Sequence, residues 1–162
     1  MWENEGRVVR LEANHRSVVT GVIWTVIFSG MSFYWAMGGQ LGLKSLGGSI
    51  YEMSQNPDPS FVRIVWLTGF VKLLGIPLLL GLYVKWKKPI AAKAFYYVTK
   101  AAGICIFLYG FLNFITIALS ALGILDFDLE ASATFWRLVF WEPFWMIGGM
   151  FYFFAVKRGN TA

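Results

Sequence analysis

Four long apolar runs, at about 18–38, 61–84, 101–125 and 136–156, divide the chain. Each reaches the roughly twenty residues that an α-helix needs to cross a bilayer core. Within them the small and polar positions recur at helical spacing. Gly21, Thr25, Ser29, Ser32, Ala36 and Gly39 share one face of the first run, and in lipid such stripes mark close helix–helix contact. Thr68, Gly69, Lys72, Gly75 and Ile76 share a face of the second, with Pro77 placed to kink it just past the lysine. Gly103, Ile106, Gly110, Asn113 and Ile117 share a face of the third. The pattern predicts an all-α fold: a four-helix transmembrane bundle forming a single domain over 1–162.

The connections are read by their polarity. Residues 40–60, with glycines and the Asn56-Pro57-Asp58-Pro59 cluster, predict a surface loop long enough to fold over the bundle end. Lys85, Lys87, Lys88, Lys93 and Lys100 predict a basic loop, and Asp126, Asp128 and Glu130 an acidic one. Val8, Val9 and Leu11 suggest a short interfacial helix before the first span.

Composition agrees with a membrane protein. The chain is 57% hydrophobic and 14% charged, too little charge to cover a water-soluble domain of 162 residues. The net charge of +5 points to topology rather than nucleic acid. Ten of the fourteen Lys and Arg fall on one side: Arg7, Arg10 and Arg16, the five lysines of the middle loop, and Lys157 and Arg158. The positive-inside rule puts both termini and that loop in the cytoplasm of a multi-pass protein of the cell membrane. The apolar run after a basic start resembles a signal-peptide core but is too long for one. The single cysteine, Cys105, disfavours paired-thiol redox chemistry, and the single histidine, His15, cannot furnish bis-histidine haem ligation or a His-rich metal site. Gly-rich nucleotide loops, metalloprotease helices and nucleophile elbows are absent, and no cofactor or metal is implied.

The chemistry lies in a few polar residues within the runs. Glu142 stands in the fourth run directly before Pro143, and Lys72 stands near the middle of the second. Intramembrane ionisable residues are functional-site hypotheses by default. At ~1.5 Å per residue, Lys72 and Asn113 lie near the midplane and Glu142 slightly toward the outer side, with Arg137 at the outer end of its helix. A Lys72–Glu142 pair follows as an expectation. It reads as a device fixing helix register, as the wall of an outward-facing pocket, or as a proton-transfer pair. Tyr34, Gln40, Trp141 and Trp145 are candidate pocket residues beside it, while most tryptophans near span ends need only an aromatic belt. Asn113 reads as interhelical hydrogen-bonding glue.

Tyr34-Trp35-Ala36-Met37-Gly38-Gly39-Gln40-Leu41-Gly42-Leu43, with Trp141-Glu142-Pro143-Phe144-Trp145-Met146-Ile147-Gly148-Gly149, resembles a family of small bacterial membrane proteins catalogued as domain of unknown function 3995. The resemblance implies four spans over nearly the whole chain and carries no assigned activity. Members often have histidine just before the Tyr-Trp pair, where this chain has Phe33.

Three function classes remain open on these residues. One is a non-enzymatic membrane protein whose outward-facing pocket around Lys72, Asn113 and Glu142 binds a small ligand or lipid, or an accessory subunit of a homo-oligomer or larger membrane assembly. The others are a lipid-modifying enzyme with Glu142 as general acid or base, and a small proton-coupled carrier using Glu142 and Lys72. Nucleic acid is not an expected partner. The charge asymmetry generates the first prediction: topology reporters fused after Lys88 read as cytoplasmic and those after Ser49 or Asp126 as external. External labelling at Lys88 in intact cells reverses the assignment.

Overall fold

The computed structural model describes residues 11–126 and 129–157. In chain order it contains β1 (Glu12–Ala13), α1 (His15–Ala36), α2 (Leu43–Leu46), α3 (Gly48–Gln55), α4 (Pro59–Leu73), α5 (Gly75–Leu80), α6 (Pro89–Ala121), α7 (Ala131–Trp136), α8 (Glu142–Ala155) and β2 (Val156–Lys157). A 3₁₀ turn, Gly81–Tyr83, prolongs α5, and a π turn, Arg137–Trp141, joins α7 to α8. Four helical stretches, His15–Ala36, Pro59–Tyr83, Pro89–Ala121 and Ala131–Ala155, are long and apolar enough to cross a membrane. The interfacial helix expected around Val8 lies outside the described residues, as do Arg7, Arg10, Asp128 and Arg158.

Local chemistry sets the helix ends. Asp58 caps α4: its Oδ1 accepts from the backbone N–H of Ser60 at 2.6 Å and of Phe61 at 2.8 Å, and Pro59 occupies the first helical position. These two bonds hold the Asp58 carboxyl below the usual carboxylate range. The second stretch is interrupted at Leu74, because Pro77 has no N–H to return to the Leu73 carbonyl. Gly123, at φ +72°, ends α6, with Gly123 N–H on Ser120 and Ile124 N–H on Leu119.

Two connections differ from the sequence reading. The basic loop expected over residues 85–100 shrinks to 84–88, since α6 starts at Pro89 and carries Lys93 and Lys100 in its first turns. Proline at the first position followed by Ala91, Ala92 and Ala94 favours helix regardless of the intervening charge. The expected loop over 40–60 contains α2 and α3, set off by left-handed Gly42 and Gly47, at φ +83° and +61°. Trp141 Nε1 donates to Ser45 of α2 at 2.9 Å, and Ala133 of α7 lies against Gly47, so this segment is folded onto the bundle end.

α1 packs between α4–α5 on one side and α8 on the other, and α6 lies along α8. The core holds Val18, Trp24, Phe28, Leu79, Leu82 and Tyr152. The predicted small face of α1 is turned inward at Gly21, Thr25, Ser29 and Ser32, which are buried, whereas Ala36 is half-buried at the helix end and Gly39 lies beyond it. Outward faces are apolar as well, with Ile23, Leu67, Phe70 and Leu112 exposed. At the opposite end from α2–α3, β1 and β2 pair antiparallel, Glu12 facing Lys157 and Ala13 facing Val156.

The α6–α8 crossing is made by backbone. A Cβ on Gly103 would stand 2.5 Å from Phe153 N, and one on Gly149 would stand 2.5 Å from Phe107 N. Gly30, by contrast, has nothing within 4 Å of its missing Cβ. Gly103→Ala is therefore expected to destabilise by ~1–3 kcal/mol through forced backbone shifts. Gly30→Ala is expected to gain ~0.5–1 kcal/mol. Thermal denaturation of both in the same detergent checks the contrast; equal melting temperatures refute the close crossing.

Candidate functional site

The fourth stretch is unusual at its first proline. Pro143 cannot donate to the Val139 carbonyl, and the helix widens ahead of it into the π turn. The Glu142 N–H bonds to the Arg137 carbonyl, five residues back. That wide turn brings the two side chains together: Arg137 Nη2 and Nε donate to Glu142 Oε1 at 2.7 and 2.9 Å. Glu142 is 2% exposed, and its Oε2 has no hydrogen-bond partner among the described residues. A buried carboxylate with one oxygen paired and the other bare retains full capacity to accept a donor.

The expected Lys72–Glu142 pair does not form. Lys72 points from α4 toward α1, where Nζ donates to Ser32 Oγ at 2.8 Å and sits 3.6 Å from the centroid of the Phe28 ring. Similar depth in two helices says nothing of azimuth, and each charge has found its own partner. Lys72 still belongs to the neighbourhood: Nζ is 5.7 Å from the centroid of the Trp145 ring, one turn beyond Glu142. Below it, Thr25 Oγ1 and Tyr152 OH lie 2.7 Å apart across α1 and α8, close against Gly75. Trp24 braces the same layer by donating Nε1 to the Phe144 carbonyl at 2.9 Å.

Asn113 is not interhelical glue. Its Nδ2 donates to Tyr109 O of its own helix at 2.7 Å, and it reaches the site only through Tyr109, whose ring packs on Trp145 at 4.6 Å. Of Lys72, Asn113 and Glu142, Lys72 alone approaches the Trp145 ring, Asn113 is tied to its own helix and Glu142 to Arg137. None of them lines either of the two principal cavities.

One cavity, about 100 Å³, lies under α3 and the turn that follows α1, walled by Trp35, Gln40, Leu43, Ser54 and Phe61. Gln40 is therefore placed in a cavity wall. Tyr34 is partly exposed; its ring underlies Gly39 and its hydroxyl accepts weakly from Leu41 N–H at 3.4 Å. Trp141 is buried and joins cavity to ion pair: its ring packs on Trp35 at 5.8 Å, and its own residue precedes Glu142. Phe33, the position noted before the Tyr-Trp pair, packs on Trp66 and Phe70 at 5.4 and 5.1 Å and seals the α1–α4 contact.

Sequence reasoning missed Ser32, Phe28, Ser45, Trp24 and Tyr152. Ser32 and Thr25 were visible as small residues, but a hydroxyl in a small-residue stripe does not announce which cation or hydroxyl it meets. The Glu142-Pro143 step was the one visible sign that the helix would widen.

A family model described as Protein of unknown function (DUF3995) matches residues 25–152, which takes in Lys72, the Arg137–Glu142 pair and the Trp35–Trp141 contact. No curated protein and no solved structure matches the chain.

The geometry separates the two charges energetically. Arg137→Ala strands a buried carboxylate and is expected to destabilise by ~3–5 kcal/mol, and adding Glu142→Gln is expected to restore part of it. A double-mutant cycle should give strong coupling for Arg137 with Glu142 and, within ~0.5 kcal/mol, additivity for Lys72→Met with Glu142→Gln. Coupling of the second pair equal to the first contradicts the arrangement.

Proposed function

The chain belongs to the family described as Protein of unknown function (DUF3995), and from that premise we propose that it is a multi-pass protein of the bacterial plasma membrane that binds a small ligand or lipid headgroup. Both termini are cytoplasmic in this reading, supported by the ten basic residues on one side and by the β1–β2 pairing, which keeps the two ends of the described chain together. The α2–α3 segment then covers the outer end, and the Arg137–Glu142 pair lies beneath it.

The single observation that carries the reading is the bare Glu142 Oε2. Burial makes an unmet carboxylate oxygen expensive, and a ligand N–H or O–H would meet it with a charge-assisted hydrogen bond. Arg137 holds the carboxyl in place through Oε1 and leaves Oε2 bare. Trp141 and Trp35 supply flat apolar walls between the pair and the cavity under α3. Lys72 acts in this reading as a fixed positive charge tied to Ser32 and Phe28, which orients the inner wall through Trp145.

Purification of wild type and Glu142→Gln in mild detergent, followed by extraction and mass spectrometry of co-purified small molecules and lipids, tests it. Wild type should carry a donor-bearing molecule that Glu142→Gln retains about tenfold less, the scale of one lost hydrogen bond to a charged group. Identical co-purified sets from two equally folded proteins overturn the reading.

A further inference from the structure

The second cavity is a trench of about 350 Å³ on the outside of the bundle, between α6 and α8. Gly103 and Gly149 form its floor, and Ile104, Leu108, Met150 and Phe154 rise along it, with no polar surface in the lining. The close glycine crossing creates the trench, since backbone meets backbone while the flanking side chains stand apart.

One end of the trench carries fixed positive charge. Lys100 lies one turn before Ile104 on α6. Its Nζ donates to the Phe153 carbonyl at 2.5 Å and sits 3.8 Å from the centroid of the Phe153 ring, itself a trench wall. An ammonium group has three donors, so this contact positions the cation without exhausting it. Lys93 stands two turns earlier, on the same face of the helix by its seven-residue spacing. A cationic end continuous with an apolar trench has the polarity of one molecule: a phosphate-bearing head joined to an acyl chain.

We propose that the α6–α8 trench is a binding site for an anionic glycerophospholipid, with the phosphate at Lys100 and Lys93 and one acyl chain laid over Gly103 and Gly149. The assignment rests on the membrane reading above and is independent of the Glu142 site. The lipid fills the space left by the glycines and completes the surface that the two helices leave open.

Native mass spectrometry of the protein released from mild detergent tests the site, using phosphatidylglycerol and phosphatidylcholine with identical acyl chains. Wild type should retain one phosphatidylglycerol in preference to phosphatidylcholine. Lys93→Gln and Lys100→Gln should each reduce that preference by about fivefold. Ile104→Trp and Met150→Trp fill the trench from opposite walls and should each abolish retention of both lipids, with melting curves confirming that the variants are folded. Equal retention of the two lipids by wild type, or unchanged retention in both filled variants, overturns the proposal. So does a lipid-free dimer that the filled variants break, since a second copy would then occupy the trench. Recovery of the protein in buffer without detergent removes the membrane premise itself, and this site with it.

Discussion

Helices that are apolar on every side cannot sort inside from outside by hydrophobicity, and that constraint governs this fold. Leu67, Phe70 and Leu112 face outward although they are as apolar as the core. What decides contact is where side chains are small enough for another helix to approach. Gly103 and Gly149 admit backbone to backbone; Gly21 admits Leu79; Gly69 admits Phe33; Gly148 admits the Trp24 indole. Polar atoms then lock the register that the glycines permit: Thr25 with Tyr152, Trp24 with the Phe144 carbonyl, Lys72 with Ser32.

The fourth stretch answers a second demand. A carboxylate deep in such a bundle needs a cation, and among the described residues no neighbouring helix delivers one to Glu142. The chain provides it locally by widening one turn. In regular α geometry Arg137 and Glu142 would point about 140° apart around the helix axis. The π turn narrows that difference enough for the long arginine side chain to reach, so one missing proline N–H accounts for both the backbone irregularity and the ion pair.

This explains what was legible in the sequence. The four long helical stretches followed from the length of the apolar runs, and the inward face of α1 followed from the spacing of Gly21, Thr25, Ser29 and Ser32. The start of α6 was misread because lysines suggest solvent and solvent suggests loop, whereas Pro89 and the alanines after it extend the helix through Lys93 and Lys100. The partner of Glu142 was misread because depth along a helix is countable from sequence and rotation around it is not, least of all beside a proline. The covering helices were hidden by glycines that look like loop until Gly42 and Gly47 are seen to punctuate two short helical turns.

The inward hydroxyls of α1 bear on how the molecule is made. Synthesis proceeds from the N-terminal side, so α1 exists before any of its partners. Thr25 waits for Tyr152, Ser32 for Lys72, and Trp24 for the Phe144 carbonyl. The strand β1 waits for β2 beyond α8. Ser32 meets Lys72 once α4 is made, but until α8 emerges Thr25 and Trp24 have no final partner. The bundle is thus closed by its latest-made helix, and a ribosome stalled before α8 would hold three long helical stretches without a finished centre.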